Sequence, residues 1–390
     1  MSTTTTSDRN DLRVAILGAG MIGAVHRRAA LLNGARLVGV MASSPERSSS
    51  AAHDWRTMAI RDADALFDLA PDVVHVCSPN GLHVEHVKAA VAAGAHVICE
   101  KPIAATSGEA DELADLVAGT DRIGTVPFVY RFHPLVREIR SRMRDEEFGR
   151  LQLIHGSYLQ DWLLSPLATS WRVDSRLGGP SRTFADIGSH WCDLMEFITG
   201  ERIASLSAAT TITVPERPAT SAASFSAVSG GGPLVTVDTE DAASVMFRTQ
   251  SGVLGTVIVS QVSAGRKNRL WIEIDGERRS AVFDQENPET VWFGREESAE
   301  VIQRDPSRGS SDERRLSSLP AGHVQGYAQC FENFIGDTYR AVVGDRRDGL
   351  PTFDDGARSA RIVDAVLESA RSGAWVDVVD APRPAPQHQP

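Results

Sequence analysis

The segment FADIGSHWCDL, residues 184–194, carries Asp186, His190 and Asp193 at i, i+4 and i+7. In a helix that spacing puts two carboxylates and an imidazole on one face. Ile187, Trp191 and Leu194 repeat it one residue later and make an apolar face. A polar stripe of this kind is either a solvated helix surface or a proton-handling site, because an imidazole titrates near neutral pH. Both readings are open on this segment alone.

Two other segments carry chemistry. GAGMIG places Gly18, Gly20 and Gly23 as GxGxxG after an apolar run and at the start of a helical stretch. There the first glycine makes a tight turn, the second lets backbone approach a pyrophosphate, and the third lets helix and strand pack closely. Met21 and Ile22 complete the loop, and phosphates sit over the helix N-terminus, where unpaired N–H groups favour negative charge. Glu100-Lys101-Pro102 follows the apolar run AHVIC. In a doubly wound sheet, the C-terminal ends of strands border the ligand crevice, so a lysine there can face a substrate. Taken alone, a lysine after a strand is more often a surface residue.

The elements that position these residues follow from hydrophobic pattern. LRVAIL, ARLVGVMA, PDVVHVCSP, AHVICE and DRIGTVPFVY read as strands, separated by helical stretches that include PERSSSAAHDW, HVEHVKAAVAAG and SGEADELADLVAG. Ser44 is placed to cap the first of these helices, with Pro45 at its first position. Alternating strands and helices argue for a doubly wound parallel sheet, a Rossmann domain over residues 11–127. Beyond it, strand-like runs cluster without helices between them, so 128–380 reads as an α+β domain with a large open, mostly antiparallel sheet. LQLIHGSYLQDWLL reads as its first long strand, and the loops at 216–233 and 296–320 read as long and mobile. Residues 1–10 and 381–390 read as disordered termini.

Ribose recognition is expected at the end of the second strand, where NAD sites usually carry an acidic residue. Here that position reads as Ala42, followed by Ser43, Ser44 and Arg47. Without a carboxylate nothing repels a 2′-phosphate, so the cofactor is expected to be NADP rather than NAD, with Arg47 as a solvated first-turn residue the alternative.

The chain has 390 residues, a net charge of −11 and 42% apolar residues, which allows a sizeable core and two domains. An acidic chain without a basic run is a poor candidate for nucleic acid or anionic membranes. No apolar run approaches the roughly 20 residues of a membrane span, and the N-terminus has no apolar signal region. Cys77, Cys99, Cys192 and Cys330 form no CxxC pair and read as reduced thiols of a cytoplasmic protein. His83 and His86 are three apart, but no Cys or carboxylate completes a ligand set, so no metal is expected.

Together GAGMIG, the SPNGLHVEHVKAAVAAGAHVICEKP block and the DIGSHWCDL helix resemble the glucose–fructose oxidoreductase, inositol dehydrogenase and rhizopine-catabolism (Gfo/Idh/MocA) family. The resemblance covers nearly the whole chain. It implies a Rossmann domain followed by an α+β domain, a catalytic trio falling on Lys101, Asp186 and His190, and an oligomer, dimer or tetramer, formed through the open sheet. Ser78, Asn80, His83 and Glu100 match positions on the nicotinamide side. Tyr130, Arg131, Trp171, Arg172, His323 and Tyr327 match segments that reach the substrate.

The implied reaction is hydride transfer to or from a secondary alcohol of a small sugar, glycoside or polyol. His190 would take the hydroxyl proton, Lys101 would stabilise the oxygen, and Asp186 would accept from a neighbouring substrate hydroxyl. Asp193 either orients the imidazole or caps the structure. Trp162, Trp171 and Tyr130 offer flat faces to a sugar ring or pack in the core. Two other activities fit the same resemblance: a redox glycosidase with tightly held NAD, and a cofactor-binding regulator without turnover.

Overall fold

The computed structural model describes residues 11–219, 228–229 and 232–379. The expected disordered termini and most of the loop at 216–233 lie outside the described residues. Among the described residues, six parallel strands form the first sheet. They are β1 (Arg13–Leu17), β2 (Arg36–Met41), β3 (Met58–Ala59), β4 (Val73–Val76), β5 (His96–Cys99) and β6 (Gly124–Thr125), in the order β3-β2-β1-β4-β5-β6. The order reverses beside β1, so the crevice for a ligand opens beyond the C-terminal ends of β1 and β4. These strands are almost wholly apolar because helices cover both faces.

The second sheet has nine strands, in the order Ala299–Gln303, Thr290–Gly294, Ser280–Asp284, Arg269–Gly276, Leu151–Leu159, Leu254–Ser260, Ala242–Thr249, Ile203–Thr211 and Val376–Asp377. It is antiparallel except at its centre, where Leu151–Leu159 runs parallel to Leu254–Ser260. One face alternates buried residues such as Ile154, Val257, Ile272 and Phe283 and packs against the helices Pro134–Arg144, Ser189–Thr199 and Phe353–Ser372. Trp191 anchors that layer, fully buried, its indole N–H donating to the Trp271 carbonyl at 2.9 Å. Gly156 lies beneath the indole, and a Cβ there would meet Trp191 Nε1 at 2.5 Å, so glycine is required on this strand.

Three departures from expectation have local causes. Leu234–Thr236 pairs with Glu216–Pro218 in a separate ribbon rather than joining the main sheet. The stretch 296–320 is ordered: Ala299–Gln303 forms the sheet edge, and Ser310 caps the helix Ser311–Leu316. The two domains are also not separate in packing. Cys330, Phe331 and Phe334 of the helix Tyr327–Val342 share a core with Leu12, Val14 and Ile16, and Phe353, Ala357 and Ala360 share one with Val97 and Leu113. No helix among the described residues is long and apolar enough to cross a membrane.

Candidate active site

The glycine loop opens the first cavity. Gly18 has a φ of +122°, and a Cβ on it would meet the Cys77 carbonyl oxygen at 2.2 Å; one on Gly23 would meet Gly18 O at 1.9 Å. These two glycines are required by packing. A Cβ on Gly20 would meet nothing within 4 Å. Gly20 instead leaves open space over the N-terminus of the helix Met21–Leu32, the cradle an anion needs. The cavity here is about 460 Å³ and runs from Ala42, Ser43, Arg47 and Asp54 at one end, past Ser78, Asn80 and His83, to Glu100, Lys101, Trp171 and Arg172 at the other. Its length, its glycine cradle and its position at the sheet's switch point fit a dinucleotide.

At the ribose end, Arg47 Nη1 donates to Ser43 Oγ at 3.0 Å. Ser44 is turned away: its hydroxyl accepts from Arg47 N at 3.3 Å and caps the helix Pro45–Trp55, with Pro45 at the first position as expected. Asp54, near the far end of that helix, puts a carboxylate on this half of the cavity. At the other end His83 is clamped between two carbonyls, Pro102 O at 2.7 Å and Ser78 O at 2.8 Å. Asn80 Nδ2 donates to Gly178 O at 3.3 Å, tying the two domains.

Lys101 stands where β5 ends. Its Nζ donates to both the carbonyl and the carboxylate Oδ1 of Asp186, each at 2.8 Å. Gln261 Nε2 donates to the other carboxylate oxygen at 2.9 Å, and Arg172 Nε lies 3.7 Å from Oδ1. Burial alone would raise the Asp186 pKa, but Lys101 and Arg172 hold it well below the usual carboxylate range. Asp186 is therefore an anion whose two oxygens are both engaged, an anchor for the ammonium as much as a partner for a substrate.

The helix is not regular here. Phe184–Gly188 forms a π-turn before the α-helix Ser189–Thr199 begins, so the expected single α-helical stripe is broken at Asp186. Ser181 and the Glu240 carboxylate fix the start: Phe184 N and Arg182 N both donate to Glu240. His190 sits one turn on, with its ring edge-to-face against Phe128 and Tyr130 at centroid distances of 5.8 and 5.5 Å. Its Nδ1 is buried without a hydrogen-bond partner among the described residues. Burial, and then the Lys101 charge, push its pKa well below the ordinary imidazole value. The ring is a neutral base at physiological pH rather than one poised near 6.5.

Lys101, Asp186 and His190 face a second cavity of about 190 Å³ that adjoins the first through Met21, Ile22, Glu100 and Lys101. Its opposite wall is a polar cluster in which sequence reasoning singled out Tyr130 but not Tyr158, Gln160 or Asn268. Tyr130 Oη and Tyr158 Oη lie 2.7 Å apart, Tyr158 Oη donates to Asn268 Oδ1 at 2.8 Å, and Gln160 Nε2 donates to the same atom at 2.8 Å. Tyr327 completes the wall, as expected. The missed residues lie on or just beyond the adjoining ends of two neighbouring strands, Leu151–Leu159 and Arg269–Gly276, and only the register between those strands brings them together.

Other expected site residues go elsewhere. Arg131 turns away from the cavity and grips Asp193 with two nitrogens, its Nε to Oδ2 at 2.8 Å, and reaches Asp355 at 2.9 Å. That pair also answers for Asp193, which neither orients His190 nor caps: it is half of a buried ion pair. Burial pushes its pKa up to about 7 against the pull of Arg131. His323 is exposed, and its carbonyl accepts from Arg304. Trp171 and Arg172 line the larger cavity, Arg172 stacked on the indole at 4.4 Å. Trp162 packs with Leu163, Ala168, Val173 and Val237 in a small core.

Comparison with known proteins follows the same division. Residues 12–128 match the description "Oxidoreductase family, NAD-binding Rossmann fold", and residues 136–282 match "GFO/IDH/MocA C-terminal domain". The chain is 31% identical to levoglucosan dehydrogenase of Pseudarthrobacter phenanthrenivorans over 94% of this chain and 98% of that protein. The solved structure of levoglucosan dehydrogenase in complex with NADH and L-sorbose superposes with a TM-score of 0.86 at 28% identity, covering 94% of this chain and 99% of that one. An inositol dehydrogenase homolog of Azotobacter vinelandii, complexed with NADH and myo-inositol, superposes with a TM-score of 0.83 at 26% identity, covering 96% and 100%.

Proposed function

The chain belongs to the Gfo/Idh/MocA oxidoreductase family, and from that premise we propose that it moves a hydride between a nicotinamide dinucleotide and a secondary alcohol or ketone of a sugar, anhydrosugar or cyclitol. The observation that carries this reading is Lys101 Nζ, held at 2.8 Å by Asp186 beside His190, whose buried Nδ1 has no hydrogen-bond partner among the described residues. Relatives named for levoglucosan and inositol support the substrate class.

When bound, the nicotinamide supplies the hydride acceptor or donor. The chain's own residues do the rest. His190 takes the hydroxyl proton from the carbinol, a task for which its neutral form is ready. Lys101 donates to the same oxygen and stabilises its developing negative charge. Asp186 holds that ammonium in place. Tyr158, Gln160 and Asn268 meet the remaining hydroxyls of a polyol. At the ribose end, Ser43 and Arg47 with alanine at position 42 favour a 2′-phosphate, hence NADP, and Asp54 opposes it. Exposed Met246, Leu254 and Ile258 on the outer face of the large sheet support a dimer or tetramer built through that face.

The test is absorbance of reduced nicotinamide with NAD or NADP and a panel of anhydrosugars, aldoses, glycosides and inositols, with His190→Ala in parallel. A signal that disappears in the variant supports the reading and identifies substrate and cofactor. Release of an aglycone without reduced cofactor would replace it with the redox-glycosidase reading.

A further inference from the structure

Behind the first cavity lies a buried row of side chains that the proposed chemistry does not use. Tyr339 Oη is 3.0 Å from His75 Nε2, His75 Nδ1 is 3.0 Å from His26 Nδ1, and His26 Nε2 is 3.1 Å from Glu100 Oε1. Tyr339, His75 and His26 are 0–1% exposed, and Glu100 is 7% exposed. The second oxygen of Glu100 accepts the Lys101 backbone N–H at 3.1 Å. The row crosses the domain from the helix Tyr327–Val342, through β4 and the helix Met21–Leu32, to the residue after β5.

The pairing of the rings restricts the protons. A neutral imidazole has one donor and one acceptor nitrogen. Two Nδ1 atoms face each other, so one donates and the other accepts. With Tyr339 donating to His75 Nε2, His75 Nδ1–H donates to His26 Nδ1, and His26 Nε2–H donates to Glu100. Every donor and acceptor is then satisfied with both rings neutral, and the row terminates on a carboxylate. Reversing the whole row would require a carboxylic acid to keep its proton while donating to an imidazole, against the ordinary order of their acidities.

Glu100 lies at the junction of the two cavities, together with Lys101, Met21 and Ile22. On the reading above, that junction is where the reacting end of the dinucleotide meets the substrate. The oxidised nicotinamide ring carries a positive charge and the reduced ring carries none. We propose that Tyr339, His75 and His26 are positioning residues that hold Glu100 as a carboxylate at this junction, where it favours the oxidised cofactor over the reduced one. The inference rests on the dinucleotide reading, and it adds a device that sets the balance between the two cofactor forms.

The experiment measures dissociation constants of the full chain for oxidised cofactor, reduced cofactor and ADP-ribose by titration calorimetry. In Glu100→Gln the ratio of oxidised to reduced dissociation constants should rise on the order of ten-fold, while ADP-ribose affinity stays the same. Tyr339→Phe removes the first donor, lets His75 change tautomer, and should raise the same ratio by a smaller factor. A ratio unchanged in Glu100→Gln, with cofactor still bound, overturns the inference. A ratio changed in Glu100→Gln but not in Tyr339→Phe overturns the row and leaves Glu100 acting alone. Failure of the unaltered chain to bind any of the three ligands overturns the dinucleotide reading itself, a separate result.

Discussion

Asp186 and Asp193 lie seven residues apart on one helical segment, with 13% and 6% of their side chains exposed, yet the structure uses them oppositely. Asp186 is at the π-turn end, bound by an ammonium from the other domain at the edge of a cavity. Asp193 is at the α-helical end, clamped by a guanidinium on the side away from it. The first carboxyl is held well below its usual pKa and the second is pushed up to about 7. Similar burial thus gives unequal acidity, because the number and kind of partners decide which term wins. On the proposed reading the first carboxylate serves the chemistry, and the second holds the helix in place.

The largest expected effect tests the chemical end. Lys101→Met should lower kcat by about 10²–10⁴-fold, with circular dichroism and melting temperature close to those of the unaltered chain. A loss below ten-fold would remove Lys101 from the reaction. The structural end should respond in the opposite manner. Arg131→Met leaves Asp193 and Asp355 buried without their cation and should cost about 3–5 kcal/mol in urea unfolding, with kcat of the folded protein nearly unchanged. A variant that keeps its stability and loses kcat would break the contrast.

Acid should sharpen the contrast. Burial lowers the pKa of His75, His83, His133 and His190, His133 to about 4. Each takes up its proton at a lower pH in the native state than in the unfolded chain, which does so near pH 6.5. The unfolded state then binds more protons, so stability is full above that pH and falls as the pH drops through it, by about 1 kcal/mol per unit for each such histidine. Asp193, Glu273 and Glu313 work against this, because burial raises their carboxyl pKa values in the native state, but the histidines, with His86 and His96 among them, outnumber these carboxyls. Denaturant midpoints between pH 8 and 5 check the sign. The smallest effect belongs to the polar wall: Tyr158→Phe should raise KM by about three- to ten-fold with kcat little changed, measured once a substrate is in hand.

Short-range spacing made the glycine loop legible, because its geometry is set by one local turn, whereas Lys101 and the Asp186–His190 pair stood out as site residues only through the family resemblance. A shared helical stripe misplaced Asp193, and the resemblance misplaced Arg131. Their partnership spans 62 residues, and a helical wheel shows only that Asp193 shares a stripe with His190. The π-turn was equally invisible, since it depends on Glu240 capturing backbone N–H groups 56 to 58 residues away. Tyr158 and Gln160 meet Asn268 only through strand register, and no periodicity in either strand announces it. The alternation of strands and helices did reveal the doubly wound sheet, whereas the parallel pair at the centre of the second sheet had no signature distinguishing it from its antiparallel neighbours.

That central pair has a consequence for how the chain must be made. Leu151–Leu159 leaves the ribosome about 100 residues before its two neighbours, Leu254–Ser260 and Arg269–Gly276, and until they follow it has both edges open. The first domain waits longer still, since Phe334, Phe353 and Ala357 complete its cores from near the end of the chain. Synthesis therefore runs past Phe353 before either half can close, and a nascent chain stalled short of that residue would carry two unfinished cores for a chaperone to shield.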